Sequence, residues 1–364
     1  MKFSASRETL LEPLQAVIGV VERRQTMPIL ANLLLVLKEQ RMTVTATDLE
    51  VELVAAAAVD AGEGGEITLP GRKLVDICRA LPEQATVTIT VKGERATITS
   101  GRSRFSLATL PAAEFPSVDD IGEQASLSLK QGDARRLIEK THFSMAQQDV
   151  RYYLNGLLLE VDGDVLRGVA TDGHRLALCE VPLSKGGGNN QVIVPRKGVL
   201  ELQRLLGGEG ELSLGIGGNH VRAEIGDIRF TSKLIDGRFP EYSRVIPDAE
   251  GPAIHGDKGT LRQAMQRAAI LSNEKYRGIR LDLGAQKLVI QAHNPEQEEA
   301  EEEVEVSYSG DALEIGFNVN YLLDALGAVD GDEVEIWLKD SNSSCLIGAP
   351  GDASCKYVVM PMRL

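Results

Sequence analysis

Aromatic residues are scarce in this chain: seven Phe, seven Tyr and one Trp make up 4% of its 364 residues. Proteins that hold single-stranded nucleic acid stack successive bases on aromatic rings, so that mode has little to work with here. Cysteine is scarcer still. Cys78, Cys179, Cys345 and Cys355 form no CxxC pair and no His-spaced cluster. A structural zinc site or disulfide framework is therefore not expected, and a reducing compartment, the cytoplasm, fits best. No apolar run approaches membrane-spanning length, and the strand-like opening MKFSAS is no signal peptide. Catalytic signatures are missing as well. There is no GxSxG, HExxH or Walker loop; Gly186, Gly187 and Gly188 are not followed by GK[ST], and GIGGNH at 215–220 lacks the third glycine of a dinucleotide fingerprint. An enzyme reading would have to use Asp172-Gly173-His174, yet His174 has no second ligand at metal spacing. The expectation is no catalytic residue, no metal and no cofactor.

What is present is repetition. The stretch LNGLLLEVDGDVLRGVATDGHRL (154–176) holds two apolar strands around an acidic Asp-Gly turn, and weaker copies occur at 29–50 and 277–294. Aligning Thr47-Asp48, Thr171-Asp172 and His293-Asn294 gives a spacing of about 122 to 124 residues, one ordinary domain length. Each third opens with a helix, expected over 6–21, 132–143 and 258–271. In the second copy Ala134, Leu137, Ile138 and Thr141 fall at i, i+3, i+4 and i+7, as Leu261, Ala264, Met265 and Ala268 do in the third. Pro13 should kink the first helix or shorten its start. A second helix follows at 70–81, 195–206 and 318–326, and alternating strands such as 86–91 close each third. The fold class expected is α+β: three tandem copies of a two-helix-on-antiparallel-sheet domain, bounded at 1–122, 123–247 and 248–364.

Charge is distributed unevenly. The whole chain carries a formal −14, but the six helix windows carry a net +6, leaving −20 elsewhere. Helices that face a polyanion while acidic strands and loops face solvent would give this partition. No groove-reading motif accompanies the charge, so the expected contact is with duplex phosphates, independent of base sequence and sensitive to salt.

With these features in view, the chain closely resembles the β subunits of bacterial DNA polymerase III, the sliding-clamp family. The resemblance covers essentially all residues and rests on LANLLL (30–35), TDLE (47–50), SGRSRFSL (100–107), QDVRYYLNG (148–156), ATDGHRL (170–176), VPRKG (194–198), NPEQEEAEE (294–302) and VVMPMRL (358–364). It implies the DNA clamp fold, and a homodimer closing head to tail into a ring that encircles double-stranded DNA. It also implies a non-catalytic processivity role in DNA replication, tethering the replicative polymerase catalytic subunit, the clamp loader, and other polymerases and repair proteins that carry clamp-binding peptides.

The same resemblance implies three sets of residues. The peptide pocket would comprise Leu154, Thr171, Gly173, His174, Arg175, Leu176, Pro240, Arg244, Val245, Asn318, Tyr321, Val359, Met360, Pro361, Met362 and Arg363. DNA would be met by Arg24, Arg72, Gln148, Tyr152 and Tyr153, to which the helix charge adds Arg196 and Lys197, together with Lys73, Arg79, Arg136 and Arg204. In the dimer, Lys73, Arg95, Arg102, Arg104, Phe105 and Leu107 of one chain would face Ile270, Leu271, Glu296, Glu298, Glu299, Glu301 and Glu302 of the other. Cys345 is expected beside the pocket rim, and the loop at 21–26 departs from the family's more glycine-rich turn. A clamp-like paralogue serving as a scaffold or a drug-resistant replacement would share every one of these features.

Overall fold

The computed structural model describes residues 1–21, 27–118 and 120–363. Six helices are present among them: α1 (Arg7–Val17), α2 (Gly71–Ala80), α3 (Gln131–Thr141), α4 (Arg196–Leu205), α5 (Lys258–Ala268) and α6 (Val319–Ala328). Local chemistry starts them where the sequence suggests. The Ser6 hydroxyl accepts from the Thr9 amide (3.1 Å), Asp257 Oδ1 from Thr260 (2.6 Å) and Asn318 Oδ1 from Asn320 (2.9 Å). Each satisfies one of the N–H groups that a helix start leaves without a partner. The helical spacing reads correctly: Ala134, Leu137, Ile138 and Thr141 are all buried, as are Leu261, Ala264, Met265 and Ala268.

Pro13 behaves differently from expectation. It lies inside α1, buried with Leu10, Leu14 and Val17, and the helix starts at Arg7 regardless. Burial of its ring offsets the one backbone bond that proline forgoes. The helix ends at Val17 and passes into a single 3-10 turn, Ile18–Val20.

Strand order shows the repetition most clearly. The first third contains the order Gly65–Pro70, Asn32–Lys38, Arg41–Thr47, Val51–Ala58. The second contains Asn189–Pro195, Gly156–Asp162, Val165–Thr171, Arg175–Pro182, and the third Leu313–Asn318, Gly278–Gly284, Lys287–His293, Glu299–Glu305. A second four-strand set recurs in the same way: Lys2–Ser6, Thr86–Lys92, Arg95–Ser100 and Ser103–Ala108; then Ala125–Lys130, Glu211–Ile216, His220–Ile225 and Ile228–Lys233; then Ala253–Asp257, Glu333–Trp337, Cys345–Ala349 and Asp352–Val359. Three tandem domains of helices and antiparallel sheet are present. The short strand Asp60–Glu63 is an addition to the first.

Sheets run on from one repeat to the next. Val51–Ala58 pairs antiparallel with Ile228–Lys233, with Leu53 opposite Phe230. Arg175–Pro182 pairs in the same sense with Asp352–Val359, with Leu176 opposite Val358. Each junction makes one eight-stranded sheet from two repeats. The chain accordingly forms two compact units that cut across the repeats. One holds residues Met1–Gly132, Ser184–Gly186 and Lys197–Leu234, the other Asp133–Leu183, Gly187–Arg196 and Ile235–Leu364.

In the first unit α1 packs on α2 and on Val51–Ala58; in the second α5 packs on α6 and on Glu299–Glu305. Helix α3 comes so close to the strand Val165–Thr171 that a Cβ at Gly168 would stand 2.5 Å from Leu137 Cδ2. Only glycine fits beneath that leucine.

Candidate functional site

The TDGHRL turn is built by its own side chains. The Thr171 hydroxyl donates to the Arg175 carbonyl (2.6 Å) and accepts from the Gly173 amide (3.1 Å). Asp172 Oδ1 accepts from the amides of His174 (2.9 Å) and Arg175 (3.1 Å), an Asx turn that binds both arms. Gly173 has φ +88°, and a Cβ there would meet Arg151 Nη1 at 2.9 Å, so conformation and space both demand glycine. Arg151 backs the turn from outside through the Asp172 carbonyl (3.2 Å).

Arg175 occupies the centre. Its Nε reaches Asp172 (3.1 Å), Nη1 reaches Asp324, and Nη2 donates to the Phe143 carbonyl (2.7 Å). The guanidinium also lies 4.5 Å from the centroid of Tyr321, a cation–π stack. Burial and the nearby Asp172 push the Tyr321 phenol above its ordinary pKa, so the ring stays neutral under its cation. Arg175 is a post that holds the wall.

The terminal segment lies alongside this turn. The Met360 amide donates to the His174 carbonyl (2.9 Å), and the Met362 amide to the Gly316 carbonyl (2.8 Å). Met360 is exposed, Pro361 and Met362 are half-buried and Arg363 is exposed. The backbone is thus fastened while flexible apolar side chains stay accessible. Leu154, Leu176 and Val359 are buried at 2%, 3% and 1% exposure and so lie beneath this surface rather than on it. Phe239, Tyr242 and Ile246 pack with Leu176 and Val358 in one apolar cluster. That cluster seats the connecting segment whose Pro240, Arg244 and Val245 remain exposed. The Tyr242 hydroxyl donates to Glu160, and Arg167 joins the pair from 3.1 Å and 2.7 Å. The sequence reading missed Glu160, Arg167, Tyr242 and Asp324. None lies in a quotable motif, and each acts only by fixing a neighbour.

Cys345 lies beside the pocket candidate Val359 but offers no surface there. It is wholly buried in the strand beside Val359, with its thiol pushed up to about 12 by burial. An apolar strand interior, which alternation in CLIGA leaves ambiguous, accounts for this burial.

The candidate DNA residues fall into two groups. Gln148 (φ +56°), Val150 (95% exposed) and Tyr152 (57% exposed) stand out on a loop. That loop is held by Asn155, which exchanges two 2.9 Å hydrogen bonds with the Asp149 backbone, and by Arg151 bound to the Asp149 carboxylate. The Arg151 contacts bring Asp149 down to a pKa of about 2. Tyr152 and Tyr153 sit in a 3-10 turn, rings 5.8 Å apart and edge to face, with Tyr153 packed into the core.

The helix cations form the second group, and many have other work. Arg136 and Lys140 bind Asp330; Arg204 binds Glu201 and the Ala16 carbonyl; Lys197 pairs with Asp48; Arg72 donates to the Val21 carbonyl. Arg196 reaches the His142 carbonyl at 3.4 Å, and its pKa is lowered by burial and by Arg175. The net helix charge therefore overstates the charge free for a polyanion: Arg136 and Arg204 bolt elements together. Lys73 and Arg79 are exposed. Arg24 lies outside the described residues.

Some of the dimer candidates lie on sheet edges, whereas Lys73 is on α2, Arg95 on the inner strand Arg95–Ser100, and Glu296 and Glu298 just before an edge strand. Ser103–Ala108 ends the five-stranded sheet, carrying Arg104, Phe105 and Leu107, and Glu299–Glu305 ends the four-stranded one. The basic stretch 95–104 is a hairpin rather than one strand, with Arg102 at its turn. Ile270 is 75% exposed beside half-buried Leu271. Glu302, on the strand Glu299–Glu305, is held by Arg267 of α5 (2.7 and 2.8 Å), which lowers its pKa.

Family models for the N-terminal, central and C-terminal domains of the DNA polymerase III beta subunit match residues 1–119, 128–241 and 243–363. The chain belongs to the DNA polymerase III beta subunit family. Its relatives include the beta sliding clamps of Pseudomonas putida (56% identical) and Escherichia coli K12 (54% identical), each aligned over 100% of both chains. Among solved structures it is similar to a Pseudomonas aeruginosa sliding clamp bound to griselimycin (55% identity, TM-score 0.97) and to a Caulobacter crescentus beta subunit (40%, 0.95), again over 100% of both chains. Function in this family is that of a DNA sliding clamp in replication: a processivity factor, not a catalytic enzyme, working with DNA and with polymerases and other clamp-binding partners. No helix among the described residues is long and apolar enough to cross a membrane.

Proposed function

We propose that two copies of this chain close head to tail into a ring around duplex DNA, and that the ring works in the cytoplasm. One observation carries the reading. At both junctions between repeats, the outer strand of a repeat's first sheet pairs with the outer strand of the next repeat's second sheet. Two outer strands are left over: acidic Glu299–Glu305 of the last repeat and basic Ser103–Ala108 of the first. A second copy satisfies the same rule at both ends, and a heterologous contact of this kind closes when its rotations sum to a full turn. Each edge would repel its own kind, which favours the acidic-to-basic match.

The docking site is the surface formed by His174, the Arg175–Tyr321 stack, Val245 and the terminal Met360, Pro361 and Met362. Its occupants are the clamp-binding peptides of the replicative polymerase catalytic subunit, of the clamp loader, and of other polymerases and repair proteins. Apolar side chains over a hydrogen-bonded backbone support this role. In the same fold, the Pseudomonas aeruginosa clamp takes griselimycin, and a Caulobacter crescentus clamp takes PEG at its putative beta-motif tethering region. Gln148, Tyr152 and Tyr153, with Arg24, Arg72, Arg196 and Lys197, are the proposed DNA contacts.

The test is retention on nicked circular DNA, loaded with the cognate clamp loader and ATP, before and after the circle is cut. Loss on linearisation is expected for a ring that slides off the ends. Equal retention on both forms would mean that the protein grips DNA directly, and would sink the ring.

A further inference from the structure

Two of the four thiols face each other across the strand pair that joins the second and third repeats. Cys179 and Cys355 are register partners at the last pair of that ladder, and their Sγ atoms are 2.9 Å apart. The kind of pair follows from the hydrogen bonds. Because the Met360 amide donates to His174, the pair Arg175–Val359 lies between hydrogen bonds rather than sharing them. Antiparallel pairs alternate, so Ala177–Tyr357 and Cys179–Cys355 are of the same open kind. Such pairs hold their Cα atoms about 4.5 Å apart, within the roughly 4.4–6.8 Å that a disulfide spans.

The surroundings favour reaction at this pair. Arg136 Nη1 is 3.4 Å from Cys179 Sγ, and Arg136 is itself held by Asp330 and Asp352. With the shared proton on Cys179, the Cys355 thiol falls below its ordinary pKa, through that hydrogen bond and then through the Arg136 charge. Cys355 keeps 7% exposure against none for Cys179, which makes it the sulfur that a small oxidant reaches. Cys78 and Cys345 are buried, with thiols pushed up to about 11 and about 12 by desolvation. They stay protonated and unreactive.

We propose that Cys179 and Cys355 form an oxidation site that closes to an intramolecular disulfide, tying Arg175–Pro182 of the second repeat to Asp352–Val359 of the third. The oxidant is a peroxide. The Cys355 thiolate attacks one peroxide oxygen; an S–O bond forms, the O–O bond breaks, and the departing hydroxide takes a proton to become water. Cys179 then loses its proton and attacks the Cys355 sulfenic sulfur; the S–S bond forms, the S–O bond breaks, and a second water leaves. Two thiols are oxidised and one hydrogen peroxide is reduced to two waters. The bond joins positions 179 and 355, so the unfolded chain would carry a long closed loop, and the folded strands could no longer separate. Arg175 and Val359, four residues along the same two strands, would be pinned from one side.

The test uses the full chain, reduced and then exposed to dilute hydrogen peroxide. Remaining thiols are blocked under denaturing conditions, followed by intact mass and non-reducing peptide mapping. Loss of two of the four thiols, with a single cross-linked peptide pair holding Cys179 and Cys355, is expected. The oxidised protein should also unfold at a temperature higher by roughly 5 °C or more. Both effects should vanish in C179S and in C355S, each of which leaves one partner thiol in place. Four thiols surviving, a bridge to Cys78 or Cys345, Cys355 stopping at sulfinic acid, or a disulfide that leaves the unfolding temperature unchanged would each overturn the proposal.

Discussion

Arg175 shows how one side chain can fix a whole surface through its own contacts. It is 14% exposed and bonds to Asp172, Asp324 and the Phe143 carbonyl while stacking on Tyr321. Lysine is a point charge and cannot reproduce that planar fork. Arg175→Lys should cost about 2 kcal/mol of stability, from hydrogen bonds to charged groups worth roughly 1.5–3 kcal/mol each. It should also weaken docking of a clamp-binding peptide about tenfold, as the Tyr321 ring loses its stack. Urea unfolding and fluorescence anisotropy read the two effects; unchanged affinity with lowered stability would mean that Arg175 supports the fold and not the pocket. Asp149 offers a test at acid pH. Its pKa is about 2 in the fold, against about 3.9 for an ordinary Asp. A depressed carboxylate adds stability above the unfolded value and loses it as pH falls through the folded one. The loop at 148–152 should therefore hold its geometry at pH 4 and release it towards pH 2, seen as an Arg151 amide shift with its midpoint near the lower value. A midpoint near 4 would show that the Arg151 contact does not hold in solution.

At the scale of elements, the last residues divide the work between backbone and side chain. The amides of Met360 and Met362 bind His174 and Gly316, while the side chains of Met360, Pro361 and Met362 stay accessible. Deleting residues 360–364 removes two hydrogen bonds and the apolar surface, but no part of either outer strand. Polymerase stimulation should disappear while the solution mass stays that of the dimer; loss of dimerisation would mean that the pocket has been misplaced. The recurring helices and strand pairs were legible in the sequence because spacing and turn residues are local signals, visible in Ala134-Leu137-Ile138-Thr141 and in Thr171-Asp172-Gly173. The pocket residues came from the resemblance, and their supports did not. Glu160, Tyr242 and Asp324 lie far along the chain from the groups they position, and no local pattern marks them. The helix charges misled for the same reason: nothing local tells whether Arg136 meets solvent or Asp330. The complete burial of Cys345 was not legible because a short apolar strand buried on both faces has no alternation to read.

For the whole molecule, the proposed assembly rests on two sheet edges. Both inner junctions pair an outer strand of one repeat with an outer strand of the next, and Ser103–Ala108 and Glu299–Glu305 are the two strands that the rule leaves open. An exposed strand edge invites pairing with another chain, and in the proposed dimer opposite charge would choose the partner. The contact cannot rest on charge alone, since exposed ion pairs contribute roughly 0–1 kcal/mol each. In the proposed dimer Phe105, Leu107 and Ile270 would supply the apolar part, while charge would set orientation and exclude like edges. Arg102→Glu with Arg104→Glu turns the basic edge acidic and places it against the Glu-rich strand without disturbing a buried residue. Folded monomers are expected by sedimentation, with thermal unfolding of each compact unit retained. Dimer should return when the double variant is mixed with a chain in which Glu299 and Glu301 are replaced by Lys, because opposite signs then meet at both junctions: the exchanged pair at one and the unaltered pair at the other. An unchanged solution mass for the first variant would place the interface elsewhere. Monomers that fail to pair with the second variant would mean that backbone register, rather than charge, selects the partner edge.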